Sequence, residues 1–281
     1  MSLTPVTVPG GFDLDDDWTH SLWLRPWDGH DEEAFLDRPS PSVASQTTAL
    51  LSRCVFLDPD GTPASSDFLR KLQVGDREAL LLSLRHLTVG DSLSCVLDCG
   101  ACGNVLELEL TTQQLRVPPY AHRGWTHDAQ LSDGERPVTV RFRLPNGGDQ
   151  ETMAALVADP ARAAAALVQR CVSEASPFAA RDLNEQHVAE LSRTMASLDP
   201  QAEIVLRTTC PHCGEALSSL FDAARFLSAE ISGSSEQLHR EVHVLAYHYH
   251  WSAAEILGMS GRRRRTYIRH LADALSERRV S

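Results

Sequence analysis

The chain has 281 residues, 42% of them apolar, and a formal net charge of -12 at pH 7. These values predict a soluble globular protein of about two domains, and the excess of acids argues against nonspecific binding of nucleic acid, because phosphate contacts need Lys and Arg. The sequence shows neither a signal-peptide pattern nor an apolar run near the roughly 20 residues that a transmembrane helix needs. We therefore expect a cytoplasmic protein without membrane contacts.

Residues 1–45 combine prolines, glycines and acids and lack helical periodicity, which predicts an acidic N-terminal arm with little structure of its own. Three of the five tryptophans of the chain lie in this arm, at Trp18, Trp23 and Trp27. Aromatic side chains of this size need an apolar surface on which to dock. Two interpretations fit: the tryptophans attach the arm to its own domain, or they form a peptide that binds a partner.

Residues 46–117 are predicted to contain helices followed by a β-hairpin. Ser65–Leu72 favours a short helix. After Asp76 as the expected N-cap, Arg77–Leu87 carries a broad leucine stripe, which indicates a helix that is buried on most of its faces. Alternating apolar residues then lead into a Cys-x-x-Cys-Gly turn, the pattern of a hairpin with two thiols at its tip.

Two such Cys-x-x-Cys-Gly turns are present, with 107 residues between them, and they contribute Cys99, Cys102, Cys210 and Cys213. Each turn directs two thiolates toward two corners of a tetrahedron, so the pair of turns supplies the four ligands of a structural zinc site. We predict one Zn²⁺ bound by these cysteines. A redox Cys-x-x-Cys motif is the alternative, but the βαβ pattern that usually surrounds such a motif is missing here.

Three further cysteines, Cys54, Cys95 and Cys171, bring the total to seven, an odd number that fits a reducing compartment better than a disulfide framework. Free cysteines usually behave as small buried hydrophobes, and we expect this of all three. Cys95 lies four residues before Cys99, so its use as a substitute metal ligand is the alternative for that residue.

Residues 118–200 are predicted to form an α-rich insertion with one short strand. Tyr120–Glu135 reads as a polar loop, Val138–Phe142 alternates as a half-exposed strand, and Pro145–Gly148 favours a turn. Helices follow, one at Glu151–Val157, one that starts with Asp159 as N-cap and Pro160 at its first position, and one marked by Val188, Leu191, Met195 and Leu198.

Residues 201–232 hold the second cysteine turn and a helix at Asp222–Ile231, and a Ser-Gly linker is expected at 232–235. Residues 233–281 are predicted to form a C-terminal helical module. Its successive helices are marked by Leu238, Val242, Leu245 and Tyr249, by a Ser252–Glu255 capping box, and by Tyr267, Ile268, Leu271 and Leu275. The whole pattern predicts an α+β fold, mainly α-helical, in which a zinc-ribbon-like β module with four cysteine ligands is split by the α-rich insertion.

The sequence lacks the usual signatures of an active site. It contains no Gly-rich phosphate loop, Ser nucleophile elbow or convincing Cys/His pair. His239 and His243 bracket Glu241, but metalloprotease helices place the glutamate directly beside one of the histidines. We predict a protein that is not an enzyme, with these histidines on a solvated helix face and a second metal site as the less favoured alternative.

Two helices around the turn at Gly258–Gly261 are similar to a helix-turn-helix, whose arginines at residues 262–265 would meet phosphates. Four consecutive arginines point to all sides of a helix, however, and residues 236–281 hold eight arginines against five acids. We therefore favour an acidic partner surface over DNA. The candidate partner-binding residues of the chain are Trp18, Trp23, Trp27, Arg262, Arg263, Arg264, Arg265 and Tyr267.

Three stretches carry a resemblance to a known family: Leu-Thr-Val-Gly-Asp at residues 87–91, Phe-Arg-Leu-Pro-Asn-Gly-Gly-Asp at 142–149, and Glu-Val-His-Val-Leu-Ala-Tyr-His-Tyr-His-Trp-Ser at 241–252 with Glu-Ile-Leu at 255–257. They resemble baseplate hub assembly chaperones, which are encoded with contractile phage tails and related injection systems. The resemblance covers roughly residues 68–278 and leaves the acidic arm outside.

This resemblance implies a non-enzymatic assembly factor that acts on baseplate or hub proteins of a contractile injection system in the cytoplasm. Zinc would be structural, the insertion a docking surface and the terminal helices an interaction module. Two alternatives stay open: a structural component of the baseplate, and a nucleic-acid-binding protein of the zinc-ribbon or helix-turn-helix type.

Overall fold

The computed structural model describes residues 3–37, 42–132, 137–156, 158–177 and 179–280, of which 277–280 are described by their backbone alone. Residues 133–135 of the predicted polar loop and Val157 at the end of a predicted helix lie outside the described residues. The strands are β1 Thr4–Leu14, β2 Asp17–Leu24, β3 Val55–Phe56, β4 Ser92–Asp98, β5 Val105–Thr111, β6 His127–Leu131, β7 Val138–Phe142, β8 Val172–Ser176, β9 Ile204–Thr209 and β10 Ala216–Phe221. The helices are α1 Gly29–Asp37, α2 Val43–Cys54, α3 Ser66–Lys71, α4 Val74–Thr88, α5 Gly147–Met153, α6 Pro160–Cys171, α7 Glu185–Leu198, α8 Ala223–Gly233, α9 Ser235–Tyr249, α10 Ala253–Leu257 and α11 Gly261–Val280.

The predicted α+β class is confirmed. The strands form small separate antiparallel sheets in the orders β1-β2-β3, β4-β5, β6-β7-β8 and β9-β10, and helices pack around them. The main core lies between the first of these sheets, the cysteine hairpins and α2, α4 and α8. None of the described helices is both long and apolar enough to cross a membrane.

The prediction of an N-terminal arm with little structure of its own is wrong. β1 and β2 pair as an antiparallel hairpin, and Val8, Phe12, Leu22 and Leu24 are fully buried in the main core. The pairing register shifts between Thr7 and Phe12, and the residues between them are buried one after another instead of alternating. A bulged strand with this pattern lacks the period of two by which strands are recognised in a sequence.

Helix α4 is the centre of the main core and is buried on most of its faces, as predicted. It begins at Val74, so Asp76 lies inside its first turn and is not the N-cap that we expected. The Asp76 carboxylate instead accepts a hydrogen bond from the backbone N–H of Gly10, at 2.6 Å from Oδ1. The acidic side chain therefore ties β1 to α4 instead of starting the helix.

The insertion contains a three-stranded sheet, β6-β7-β8, where we predicted a single strand. The missed strands β6 and β8 read His-Asp-Ala-Gln-Leu and Val-Ser-Glu-Ala-Ser, which show almost no apolar alternation. Apolar residues of the sheet pack with α6 and α7 in a core separate from the main one. The predicted turn at Pro145–Gly148 opens α5, because Asn146 and Asp149 form a capping box there.

A set of hydrogen bonds, here called the neck, holds the two ends of the insertion together. The Tyr120 hydroxyl donates to Asp199 Oδ1 at 2.6 Å, and Gln201 Nε2 donates to the carbonyl of Leu115 at 2.9 Å. Asp199 Oδ2 also accepts from the backbone N–H of Gly75 in α4, at 2.9 Å. The neck returns the chain to its starting point and so brings the second cysteine turn beside the first.

Replacing Gly75 by alanine is expected to destabilise the neck. A Cβ atom at this position would collide with the Asp199 carboxylate, which has no room to withdraw because it is buried and hydrogen-bonded. Overpacking of this kind costs about 1–3 kcal/mol. Urea unfolding measures the loss, and Gly233→Ala is the matched control because a Cβ there meets open space. Equal stability of the two variants would contradict the assigned role of the neck.

The buried carboxyl group of Glu78 joins α4 to the start of α8. Glu78 Oε2 accepts from the backbone N–H of Ala223 at 2.8 Å, and burial raises the pKa of Glu78 to about 8, with further help from the nearby charge of Asp222. A raised pKa in the folded state means that the folded chain holds a proton that the unfolded chain releases. Stability from this proton is complete below the unfolded pKa and is lost as the pH rises through about 8.

Glu78→Gln should therefore make the chain more stable relative to the wild type as the pH rises from 6 to 8. The amide keeps an acceptor for Ala223 and removes the titration, so the difference in free energy of unfolding should grow by about 1 kcal/mol per pH unit. Urea unfolding at pH 6, 7 and 8 measures it, with Glu236→Gln as an exposed control. A difference that stays constant with pH would show that Glu78 does not titrate in this range.

The C-terminal module follows with less interruption than predicted. The expected linker at 232–235 is helical apart from Ser234, which separates α8 from α9. The predicted capping box is present, because Ser252 and Glu255 exchange side-chain and backbone hydrogen bonds at the start of α10. α9 and α11 pack against each other, with Leu238 and Leu245 of α9 buried.

Candidate metal centre

Two hairpin tips of the same geometry carry the four predicted ligands. In the first, the N–H of Gly103 donates to the carbonyl of Cys99 at 2.8 Å, and in the second, the N–H of Gly214 donates to the carbonyl of Cys210 at 2.9 Å. Both glycines have a positive φ, 72° and 79°. Glycine adopts this left-handed conformation without steric cost, which explains its place after the second cysteine of each turn.

The four thiols converge at one point between the tips. Their Sγ atoms all lie within 4.8 Å of one another, with Cys99–Cys213 and Cys102–Cys210 at 3.7 Å each. A tetrahedron with metal–sulfur bonds of about 2.3 Å has edges of about 3.8 Å, whereas a disulfide would bring two sulfurs to about 2 Å. The cluster therefore has the size of a tetrahedral thiolate site and is close enough to hold a metal ion.

The surroundings of the cluster are apolar on one side and open on the other. Cys99 and Cys210 are buried against Leu106, with Leu97 and Leu217 packed beside them. Cys102 and Cys213 face the solvent side of the tips. Four soft sulfur donors without a carboxylate among them are the set that zinc and iron–sulfur clusters prefer.

Hydrogen bonds prepare some of these thiols for ionisation. The side-chain amide of Asn104 donates to Cys102 Sγ at 3.3 Å, and this bond lowers the pKa of Cys102 to about 6. Although a backbone hydrogen bond from Glu215 favours the ionised form of Cys213, its neighbour Cys102 raises the pKa of Cys213 to about 12. Without a cation, four adjacent thiols cannot all carry a negative charge.

The remaining cysteines are buried and stand apart from the cluster. Cys54 lies in the main core, Cys171 in the core of the insertion and Cys95 on the inner face of β4. Burial raises the pKa of all three thiols, for Cys171 to about 12. The prediction that they are small buried hydrophobes is confirmed.

The tryptophans of the N-terminal region dock on their own chain. Trp27 is 4% exposed in the main core, which removes it from the candidate partner-binding residues. The Trp18 ring meets Trp125 edge-on, with 5.5 Å between the centroids, and Trp23 is half-buried. For Trp27, the interpretation that it attaches the N-terminal region to its own domain is confirmed.

Arg264 is also withdrawn from any partner surface, so its prediction as a partner-binding residue is wrong. It is 1% exposed, and its guanidinium donates to Glu241 at 2.8 Å and to Glu32 at 2.7 Å. Its neighbours Arg262 and Arg263 are exposed. Arg264 points inward and joins α11 to α1 and α9. Its acidic partners lie 23 and 232 residues earlier in the chain, so the local sequence does not indicate this role.

Tyr267 belongs to an aromatic group at the start of α11. Its ring meets Trp251 edge-on with 4.9 Å between centroids, and the Arg263 guanidinium lies 5.9 Å from the centre of the Tyr267 ring. His239 and His243 are exposed on α9, as expected for a solvated face. Among the described residues, the four cysteines are the group of His, Cys, Asp or Glu side chains placed to share a metal ion.

Small antiparallel sheets, surrounding helices and a four-cysteine cluster between two hairpin tips define an α+β protein with a candidate structural metal centre. The chain belongs to the family described as T4 bacteriophage base plate protein, whose family model matches residues 16–228. No curated protein and no solved structure matches the chain. The expected likeness to phage baseplate proteins is thus confirmed.

The limits of the match correct the extent of the resemblance that we expected. The match begins at residue 16, inside the β1–β2 hairpin, so most of the N-terminal region belongs to the family and is not a separate addition. It includes both cysteine turns and the whole insertion. It ends within α8, so the C-terminal module lies outside the matched residues.

Proposed function

We propose that the chain is a non-enzymatic assembly factor for the baseplate or hub of a contractile injection system, built around a structural Zn²⁺ site. The family match over residues 16–228 carries the proposal, because it covers the main core, the insertion and both cysteine turns. Other baseplate proteins are the partners that this family membership favours. A structural baseplate component is the competing function.

The donor set supports zinc in a structural role. Cys99, Cys102, Cys210 and Cys213 fill all positions of a tetrahedral site and leave none for a substrate or a reactive water, as catalytic zinc requires. The two hairpins form separate two-stranded sheets with no shared strand pairing. Bound zinc would supply a cross-link between them, and the cysteines and Asn104 would hold it there.

Three buried carboxyl groups away from the cysteines have roles in holding the fold together, which supports a non-enzymatic role. Asp76 and Asp199 hold β1 and the neck on α4, and Glu241 holds α11 through Arg264. Each of these carboxylates already serves a contact within the fold. The sequence also lacks the motifs of known catalytic sites.

Deletion of the gene in a strain that produces the particle tests the assembly role. We expect the other particle proteins to be made and few complete particles to appear by electron microscopy. Purified wild-type particles should contain little of this chain, and immature hub or baseplate proteins should co-purify with it. Stoichiometric presence in finished particles would favour the structural component, and a normal particle yield without the gene would exclude the assembly role.

Binding to random duplex DNA should be negligible even at low salt. Burial of Arg264 leaves fewer arginines for phosphates than the helix-turn-helix interpretation requires, and the chain carries a net charge of -12. A gel shift at submicromolar protein measures this. A complex that weakens steeply as salt rises would support nucleic-acid binding instead, because counterion release produces that slope.

A further inference from the structure

Helix α11 is much longer than the surface that supports it. Its 20 residues pack mainly against α9. From Arg269 to Ser276, every side chain except Leu271 is exposed, and Leu275 shows 40% of its surface. A helix with apolar residues on one side and exposed side chains along residues 269–276 offers a surface to another molecule.

A groove of about 470 Å³ lies between α9 and α11 and is here called the α9–α11 groove. Its apolar residues are Val244, Ile268 and Ala272, and its arginines are Arg240, Arg265 and Arg269. An apolar floor with a basic rim suits a segment that has apolar side chains on one face and carboxylates beside them.

The acids near the groove do not cancel its positive charge. Glu241 Oε2 accepts from buried Arg264 at 2.8 Å, and the other oxygen of Glu241 lies 3.9 Å from Arg265. Arg240 pairs with Glu236 at 2.9 Å, but both side chains are exposed, and such surface pairs are weak. The ion pairs of Arg240 and Arg265 are exposed or long, so their guanidinium groups can exchange these acids for carboxylates of a partner.

The rest of the chain is acidic, in contrast to the groove. Residues 1–235 hold 18 Lys and Arg against 33 Asp and Glu, whereas 236–281 hold eight Arg against five acids. The groove thus lies in the basic part of an acidic protein. It also lies outside residues 16–228, so the family match does not account for it.

We propose that the α9–α11 groove binds an acidic amphipathic segment of another baseplate protein. This inference rests on the proposed function and names the chemistry of its partner. Apolar side chains of the segment cover Val244, Ile268 and the exposed Leu275, and its carboxylates pair with Arg265 and Arg269.

Photocrosslinking in cells that produce the particle tests the occupant of the groove. The probe is p-benzoylphenylalanine in place of Ala272, which lines the groove, and the control carries it in place of Ala274, an exposed alanine on another side of the same helix. We expect the first to crosslink an acidic segment of a baseplate protein, and the second to give at most a tenth of that product. A crosslink to a basic segment, to nucleic acid or to a second copy of this chain would overturn the proposal. The absence of any crosslinked product from the Ala272 position would overturn it as well.

Charge reversal separates this proposal from the proposed function. The double variant Arg240→Glu/Arg269→Glu should reduce co-purification of baseplate proteins at least tenfold, whereas Arg207→Glu/Arg225→Glu, which makes the same change of charge at exposed residues of β9 and α8, should retain it. Melting temperatures near that of the wild type confirm that both fold. Equal co-purification by both variants would refute binding at the α9–α11 groove but would leave the proposed assembly role unaffected. If the wild type retained no baseplate protein and particle yield were normal without the gene, the assembly role itself would fall.

Discussion

Replacing Cys99 by serine should release the metal and lower the melting temperature by about 10 °C or more. Structural zinc contributes an apparent ~10–16 kcal/mol in small zinc domains, which is comparable with the whole stability of a typical folded chain. Cys99 is buried with its Sγ 3.7 Å from that of Cys213, so a hydroxyl there would leave three thiolates without their fourth partner. Elemental analysis and thermal unfolding measure the two effects.

Cys95→Ala is the matched control, because Cys95 lies on the same hairpin and is buried without belonging to the cluster. It should keep one zinc per chain and lose only about 1 kcal/mol, a usual cost for a small core substitution. Wild-type protein purified without chelator that contains no zinc would refute the zinc assignment. Iron in its place, with the absorption of an iron–sulfur cluster, would preserve the site and change the cofactor.

Replacing Arg264 by methionine should cost about 3–5 kcal/mol of unfolding free energy. Methionine fills much of the same volume, but it removes the buried cation that Glu32 and Glu241 share, and removing one partner is the costly way to break a buried charge cluster. Burial already raises the pKa of Glu32 even with Arg264 present. Urea unfolding should therefore show that the variant regains stability as the pH falls from 8 to 6, because a group with a raised pKa stabilises the fold in its protonated form.

Two further variants test whether uncompensated charge is the cause. Arg262→Met removes an exposed arginine two residues away and should change stability by less than about 0.5 kcal/mol. Combining Arg264→Met with Glu32→Gln and Glu241→Gln should restore at least half of the loss, since the buried negative charges are gone. A triple variant as unstable as Arg264→Met alone would indicate lost packing instead of lost charge balance.

The features that the sequence predicted well are those set by neighbours along the chain. The hairpins around Cys99 and Cys210 follow from short-range alternation and turn chemistry. The capping box at Ser252 and the N-cap at Asp159 need only residues within one helical turn. Local patterns of this kind are visible without knowledge of the tertiary structure.

The features that could not be predicted from the sequence depend on contacts between distant segments. The β1–β2 hairpin packs on the start of α4, where the side chains of Asp76 and of the N-cap residue Gln73 lie so close to Gly10 that a Cβ there would be crowded. The inward direction of Arg264 is set by Glu32, 232 residues earlier. In both cases tertiary contacts, and not local propensity, decide the structure.

The long insertion between the cysteine turns also sets an order of events during synthesis. With 107 residues between Cys102 and Cys210, a ribosome that adds roughly 5–20 residues per second delivers the second pair of thiols about 5–20 s after the first. The insertion occupies residues 118–200 of this stretch, so most of the interval passes while the insertion itself is being synthesised. A metal ion that needs all four thiols could bind only after Cys213 has been made, and until then Cys99 and Cys102 would be unligated thiols of the nascent chain.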